Sequence, residues 1–309
     1  MDKMRVCFVG IGSIAKRHIK NLHEICNVRG LSIQIDAYRR EKEFVEGVSD
    51  IYDTIDNVPD NYDAIFITNP TEFHLESLCQ FHNKSKHFFI EKPVVSLGQL
   101  DNAKSFQMRD DCVYYVAAPL RYNAVVQWIK NNVKSDTVLA VRGISSSYLP
   151  DWRPDQDYRK TYSARKELGG GVSTDLVHEW DYLTQLFGWP QKVQAMTGKK
   201  SDLEIDTDDY AIYMADFGGM ICELHLDYFG RHTIREVELF TKDDTILCDI
   251  LRNRVTFLNN GRSQDFNEQR DDYQKRELNY FLDMVLGMEP LKSEYKQAIK
   301  VLELTQGKC

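Results

Sequence analysis

Apolar runs and helix-spaced apolar positions alternate through the first third of the chain. Val6-Cys7-Phe8-Val9 is continuous enough for a buried strand, and Ile14, Ala15, His18, Ile19 and Leu22 then follow the spacing of a helix packed on one side. Ile33, Ile35 and Ala37 alternate as a strand does. Residues 64–68, 87–90 and 113–118 are further apolar runs, with a helical pattern through Leu75, Leu78 and Cys79 after the first of them. Ser96 and Gln99 have the spacing of a capping box and set a helix start there. This alternation predicts an α/β Rossmann domain, a doubly wound parallel sheet with crossover helices. The unbroken apolar strands predict a sheet covered on both faces.

Beyond residue 120 the pattern changes. Strand-like stretches fall at 137–146, 210–217, 221–228, 236–241 and 254–258, with Phe217-Gly218-Gly219-Met220 as a hairpin turn between two of them. One helix is predicted over 175–187: Leu176, Trp180, Leu183 and Phe187 form an apolar stripe, and Asp175, His178, Glu179 and Tyr182 a polar one. Gly188 and Pro190 end it, and a helical tail begins near 271. The expectation is a domain over 1–119 and a second, α+β domain with a mostly antiparallel sheet over 120–309.

Composition narrows the class. Of 309 residues, 42% are hydrophobic and 28% charged, a globular balance with no low-complexity tract. A net charge of -8 without a basic run argues against nucleic acid as a partner, since phosphates must be neutralised by clustered Lys and Arg. No run of apolar residues is long enough to span a membrane, and the apolar stretch near the start is too short for a signal peptide. Seven scattered cysteines without a CxxC read as reduced packing or surface thiols, so a cytoplasmic protein without a bound metal is expected.

Gly10-Ile11-Gly12-Ser13-Ile14-Ala15 follows the first strand and opens the first helix as GxGxxA. Gly10 permits a tight turn, Gly12 lets backbone approach a pyrophosphate, and Ala15 allows the helix to pack closely on the strand. The helix end supplies free N–H groups and a positive dipole end for the anion. The second strand leaves as Tyr38-Arg39-Arg40. Arginines there suit a 2′-phosphate, so NADP is preferred over NAD. The alternative is that Arg39 and Arg40 are solvated and Asp36 binds the ribose of NAD.

Three further segments sharpen this reading. They are Thr68-Asn69-Pro70-Thr71-Glu72-Phe73-His74, Glu91-Lys92-Pro93, and Gly169-Gly170-Gly171 running on to Asp175, His178 and Asp181. With the glycine turn, they resemble the Gfo/Idh/MocA family of glucose–fructose oxidoreductases and inositol dehydrogenases. The resemblance implies an open-faced antiparallel sheet in the second domain and hydride transfer between a nicotinamide and a sugar, sugar nucleotide or inositol. It also implies homodimers or homotetramers paired through the open face. Asn69, Pro70, His74 and the Glu91-Lys92 pair would line the nicotinamide side. Many members place the histidine four residues after the aspartate. Here Asp175 and His178 are three apart, with Glu179 in the fourth position, which resembles a subgroup similar to enzymes of bacterial surface-sugar pathways.

Oxidising an alcohol requires a base for the hydroxyl proton and a donor to the oxygen. His178 is the expected acid/base, because histidine titrates near neutrality. Asp175 would orient the hydroxyl or hold His178, and Lys92 would hydrogen-bond the reacting oxygen. The long connection at 148–168 mixes aromatics with five basic and three acidic residues over 151–166, in a chain acidic overall. Trp152, Arg159 and Tyr162 in it, with Arg121 and Tyr122 after the last Rossmann strand, are candidate contacts for a sugar nucleotide. Two other functions share the fold: an NAD-dependent glycoside hydrolase and a cofactor-binding sensor without turnover.

Overall fold

In the computed structural model, which describes residues 3–309, the chain divides into two compact units. The first runs up to Ala117 and takes in Arg270–Ile299; the second is Ala118–Gln269 with Lys300–Cys309. No helix among the described residues is long and apolar enough to cross a membrane.

The first unit is built on a parallel sheet of strands β1 (Met4–Val9), β2 (Ile33–Tyr38), β3 (Ile51–Tyr52), β4 (Tyr62–Ile67), β5 (Ser85–Ile90) and β6 (Tyr114–Val116), in the order β3-β2-β1-β4-β5-β6. Helices α1 (Ser13–Arg29), α2 (His74–Phe81) and α3 (Leu100–Lys104) connect them. The strand order reverses between β1 and β4, the kind of switch point at whose carboxyl ends such sheets bind ligands. The core holds Phe8, Phe66, Phe89 and Tyr115 with Ala15, Ile19 and Leu22 of α1.

A contiguous domain boundary at residue 119 misplaces the closing segment. Helix α7 (Arg270–Val285) buries Leu278, Phe281 and Leu282 in the first unit's core. There the Phe281 ring stands edge-on to Phe66 and Phe89, at 5.6 and 5.3 Å. Periodicity shows that a helix has an apolar stripe, not which core the stripe covers. The capping box at Ser96 is also not formed. Ser96 Oγ is buried without a partner, Gln99 donates to the Glu72 carbonyl at 2.7 Å, and a turn of 3-10 helix precedes α3.

The second unit carries an eight-stranded sheet. Its strands are β7 (Val138–Tyr148), β8 (Lys192–Gly198), β9 (Tyr210–Asp216), β10 (Ile221–Asp227), β11 (Phe229–Thr241), β12 (Thr245–Asp249), β13 (Arg254–Phe257) and β14 (Ser263–Asp265), in the order β14-β13-β12-β11-β7-β10-β9-β8. Only the β7–β10 pair is parallel. Helix α4 (Ala124–Asn132) opens the unit, and α8 (Tyr295–Leu304) ends within it. One face of the sheet is covered, with Trp180 edge-on to Tyr213 at 5.2 Å. Strand positions pointing the other way leave Met196, Met214 and Ile221 more than half exposed. Strands β8 and β14 escaped the sequence pattern because they are mostly solvated, so no apolar alternation marks them.

The helix expected over 175–187 is two helices, α5 (Val172–Asp175) and α6 (His178–Phe187), separated by a turn at Leu176 and Val177. Its polar stripe is not a solvated face, since Asp175, Glu179 and Tyr182 are all buried. Side-chain spacing reports burial phase, and a short turn that keeps the phase is invisible to it.

Candidate active site

In the first unit, Gly10 adopts φ 86°, a conformation that side chains disfavour. A Cβ there would lie 2.7 Å from Asn69 Cα, so only glycine lets the turn after β1 pack on the loop after β4. Thr68 Oγ1 donates to the Gly10 carbonyl at 2.7 Å and closes the same contact. Gly12 has open space where a Cβ would point, and Ser13 beside it is exposed. No side chain caps α1, so its first N–H groups, from Ser13 and Ile14 on, are left for an anion. Asn69 donates to Ser77 Oγ at 2.8 Å, while its buried Oδ1 has no partner. A glycine cradle, an uncapped helix end and an orphaned amide oxygen fit a dinucleotide. Pro70 follows as an exposed residue.

Asp36 is fully buried within β2 and accepts from the Tyr62 hydroxyl at 2.7 Å and from Gln34 at 3.1 Å. These bonds commit it to the core. At the exit of β2, Arg39 pairs with Glu41 at 3.0 Å, and Arg40 is exposed.

The loop after β5 is held by two buried histidines. His18, on α1, places Nε2 2.6 Å from Glu91 Oε1. His74 places Nδ1 3.0 Å from the Pro93 carbonyl and Nε2 2.9 Å from that of Asn69. Lys92 lies between the two anchored residues, joined to Pro93 by a cis peptide bond. Glu91 and His74 therefore act as struts for these loops. Burial drives the Glu91 carboxyl up, but the hydrogen bond and charge of His18, with the Lys92 charge, hold it below its ordinary value. Burial holds His74 below the usual histidine range despite its carbonyl neighbours.

In the second unit the glycine triplet does steric work. A Cβ on Gly170 would meet the Tyr162 carbonyl oxygen at 2.0 Å, and one on Gly171, at φ 130°, would meet Asp208 Oδ1 at 2.1 Å. Both approaches bring the 148–168 connection and Asp208 against α5. Asp208 accepts from the Ser173 N–H at 2.9 Å and its carbonyl from Val172, so it caps the helix. Burial pushes its carboxyl above the usual aspartate value, and the Asp175 charge adds to this.

Asp175 is the centre of this arrangement. One carboxylate oxygen accepts from the Tyr162 hydroxyl and the other from the Tyr228 hydroxyl, the latter at 2.5 Å. Burial, reinforced by the Asp175 charge, raises both phenols well above 10, so they stay protonated as donors. Trp152 stands edge-on to Tyr228 at 5.3 Å and donates to Ser147 Oγ at 2.8 Å. His178 opens α6 half-exposed, whereas Glu179 is buried against Arg235, 3.0 Å away. Of the two neighbours in the motif, His178 is the one left at the surface of the unit.

Other candidates lie elsewhere in the second unit. Arg121 grips Asp181 of α6 with two hydrogen bonds, of 2.7 and 2.6 Å, which commits its guanidinium to the fold. Tyr122 follows it, half-buried, at the end of a 3-10 turn. Arg159 is exposed and pairs with Asp157 at 2.8 Å and with Glu204 at 3.3 Å. Sequence reasoning missed Tyr228, Asp208 and the role of His18. Only His18 carried a signal, as a polar residue inside an apolar helix stripe, because a buried polar group needs a partner.

A profile of an oxidoreductase family, described by its NAD-binding Rossmann fold, matches residues 4–118, and the GFO/IDH/MocA C-terminal domain matches residues 126–246. The chain belongs to the GFO/IDH/MocA oxidoreductase family. This family member is 25% identical over 187 residues to the uncharacterized oxidoreductase YrbE of Bacillus subtilis, covering 58% of this chain and 52% of that protein. To the myo-inositol 2-dehydrogenase of Thermotoga maritima it is 24% identical over 191 residues, covering 60% and 55%. These matches span about half the length of those relatives. Among solved structures, levoglucosan dehydrogenase in complex with NADH aligns with a TM-score of 0.82 at 16% identity, over 99% of this chain and 96% of that one. UDP-N-acetylglucosamine 3-dehydrogenase GnnA from Acidithiobacillus ferrooxidans aligns at 0.75 and 18%, over 100% and 97%. At such identities the likeness establishes a shared fold.

Proposed function

We propose that this family member is an NAD(P)-dependent dehydrogenase or reductase acting on a CH–OH group of a sugar or sugar nucleotide. The observation that carries the reading is the cradle of the first unit. Gly10 is pressed on Asn69, the end of α1 is uncapped, and the anchored Lys92 loop follows the neighbouring strand at the same edge of the sheet.

Gly10, Gly12, Ser13 and Ile14 would take the pyrophosphate with backbone N–H groups, and Asn69 and Pro70 the nicotinamide side. Arg39 and Arg40 would meet a 2′-phosphate, which favours NADP, since Asp36 is spent inside the core. The bound nicotinamide supplies hydride acceptance and donation. His178 takes the hydroxyl proton during oxidation and returns it during reduction. Lys92 donates to the reacting oxygen and offsets the negative charge that grows there. Asp175, gripped by two phenols, fixes the ring of residues that orients the substrate. Trp152, Tyr162 and Arg159 on the long connection supply stacking and cationic contacts suited to a sugar nucleotide. Arg159 is held only by exposed ion pairs, which cost little to exchange for a phosphate. The exposed Met196, Met214 and Ile221 support pairing of copies through the open sheet face, as a homodimer or homotetramer.

Titration of NADPH and NADH by nicotinamide fluorescence tests the base of this reading. Tighter binding of NADPH, lost in an Arg39→Asp/Arg40→Ala variant, supports it. Net cofactor turnover on a panel of nucleotide sugars, free sugars and inositols then assigns the substrate. Binding of neither cofactor at millimolar concentration would overturn it.

A further inference from the structure

His18 is the polar exception in the buried stripe of α1. It is 1% exposed, and its ring lies edge-on to Phe89 at 5.2 Å, with Phe66 at 6.1 Å. A leucine would fill such a place without a desolvation cost, and a buried imidazole–carboxylate pair contributes little net stability. The contact is nevertheless short, 2.6 Å from Nε2 to Glu91 Oε1, and an ionised carboxylate at that distance requires the proton on Nε2. The other carboxylate oxygen of Glu91 accepts from the Lys92 backbone N–H at 3.2 Å.

We propose that His18 is a positioning residue for Lys92: through the Glu91 carboxylate, which also accepts from the Lys92 backbone N–H, it ties α1 to the lysine and keeps a negative charge on the residue preceding it. The proposal rests on the reading of Lys92 as the group that meets the reacting oxygen. Three titratable groups act on Glu91. They are His18 from α1, Lys92 from its own loop, and His74 from α2, which is held to the Pro93 and Val94 carbonyls. Of these, His18 gives the direct side-chain hydrogen bond. Without it, a fully buried carboxylate loses its main counterweight to desolvation and takes up a proton more readily. Lys92 then loses an adjacent anion, and its amine releases its own proton at lower pH. The same histidine sits on the helix whose uncapped first turn would receive the cofactor phosphates, so cofactor docking and the lysine would share one strut.

The test follows the amine itself, independent of turnover. Lys92 in the full chain is labelled with acetic anhydride across a pH series and quantified by mass spectrometry, for wild type, His18→Leu and His18→Gln. The labelling midpoint is expected to fall by about one pH unit in His18→Leu. It should stay near wild type in His18→Gln, which keeps an N–H donor at similar reach. In the active enzyme kcat should fall about tenfold or more in His18→Leu, with its pH profile displaced in the same direction and cofactor Kd changed less than about threefold. A folded His18→Leu protein with a wild-type labelling midpoint would reduce His18 to packing. If that variant does not fold, His18→Asn, whose donor is too short to reach Glu91, carries the same comparison against His18→Gln. A Lys92→Ala variant that turns over normally would sink the catalytic reading of Lys92, while a shifted midpoint in His18→Leu would still show that His18 sets its charge.

Discussion

The two units build their candidate sites from different material. The first uses backbone: a glycine turn, an uncapped helix end and strand-end loops, all at the carboxyl edge of one parallel sheet. The second uses side chains gathered from far apart, with Asp175 held by Tyr162 and Tyr228 and its helix capped by Asp208. A backbone cradle is specified by a few neighbouring residues whose steric needs are local. A side-chain cluster is specified by the register of a sheet, so no short stretch of sequence contains it. Substitutions should therefore act on single contacts in the first unit and on networks in the second.

The largest effect is expected at the helix that the first unit borrows from the chain's end. Phe281→Ala removes a ring wedged between Phe66 and Phe89 and should cost about 3–5 kcal/mol in denaturant unfolding. A loss under about 1 kcal/mol would mean that the closing helix does not belong to this core. Next comes the cradle. Gly10→Val places a branched side chain at positive φ and against Asn69, and should weaken cofactor binding about a hundredfold, roughly 2.7 kcal/mol. Gly12→Ala is the control, because its Cβ meets nothing in the protein. It should leave the melting temperature near wild type and weaken only the cofactor. Equal effects of Gly12→Ala on fold and on binding would break the distinction between a turn glycine and a ligand glycine.

The fold of the first unit was legible because its central strands carry apolar runs and its first helix an apolar stripe, whereas the two-residue β3 is too short to leave a pattern. What stayed illegible were the non-local contacts. The sequence left Asp36 as the alternative to the arginines, and its hydrogen bond from Tyr62, a strand away, is a contact no local pattern contains. The motif singles out His74 and Glu91, but the contacts that anchor them, to Pro93 and His18, come from other elements. In the second unit, the resemblance points to Asp175 and His178, while Tyr228 leaves no signal. Nothing near residue 228 says that its hydroxyl meets a carboxylate 53 positions earlier.

That hidden contact gives the sharpest test of the second unit. Tyr228→Phe keeps the ring packed on Trp152 and deletes one hydrogen bond to a buried carboxylate, a loss of about 1.5–3 kcal/mol in stability. Tyr162→Phe should cost a similar amount, and the double variant less than the sum if the carboxylate then takes up a proton. Additive losses, read by denaturant unfolding of all three variants, would show two independent bonds and no network.

The smallest effect separates the units by pH. Burial holds His74 below 6.5, so the unfolded chain binds its proton first as pH falls. Its contribution to stability is complete above 6.5 and is lost as pH drops toward the lower folded value. His82 and His87 are also held low by burial, so the comparison must be the difference between wild type and His74→Gln, in which the acid slope should be shallower. Asp208 has the opposite sign. Its carboxyl is raised above 3.8, so its favourable contribution is present below 3.8 and lost as pH rises through the folded value. Asp208→Asn retains an acceptor for the Ser173 N–H and removes that dependence. Thermal unfolding from pH 8 to 4 should then show the two substitutions bending the wild-type curve in opposite directions. Bending in the same direction would mean that one of the two carries its charge differently from what its burial dictates.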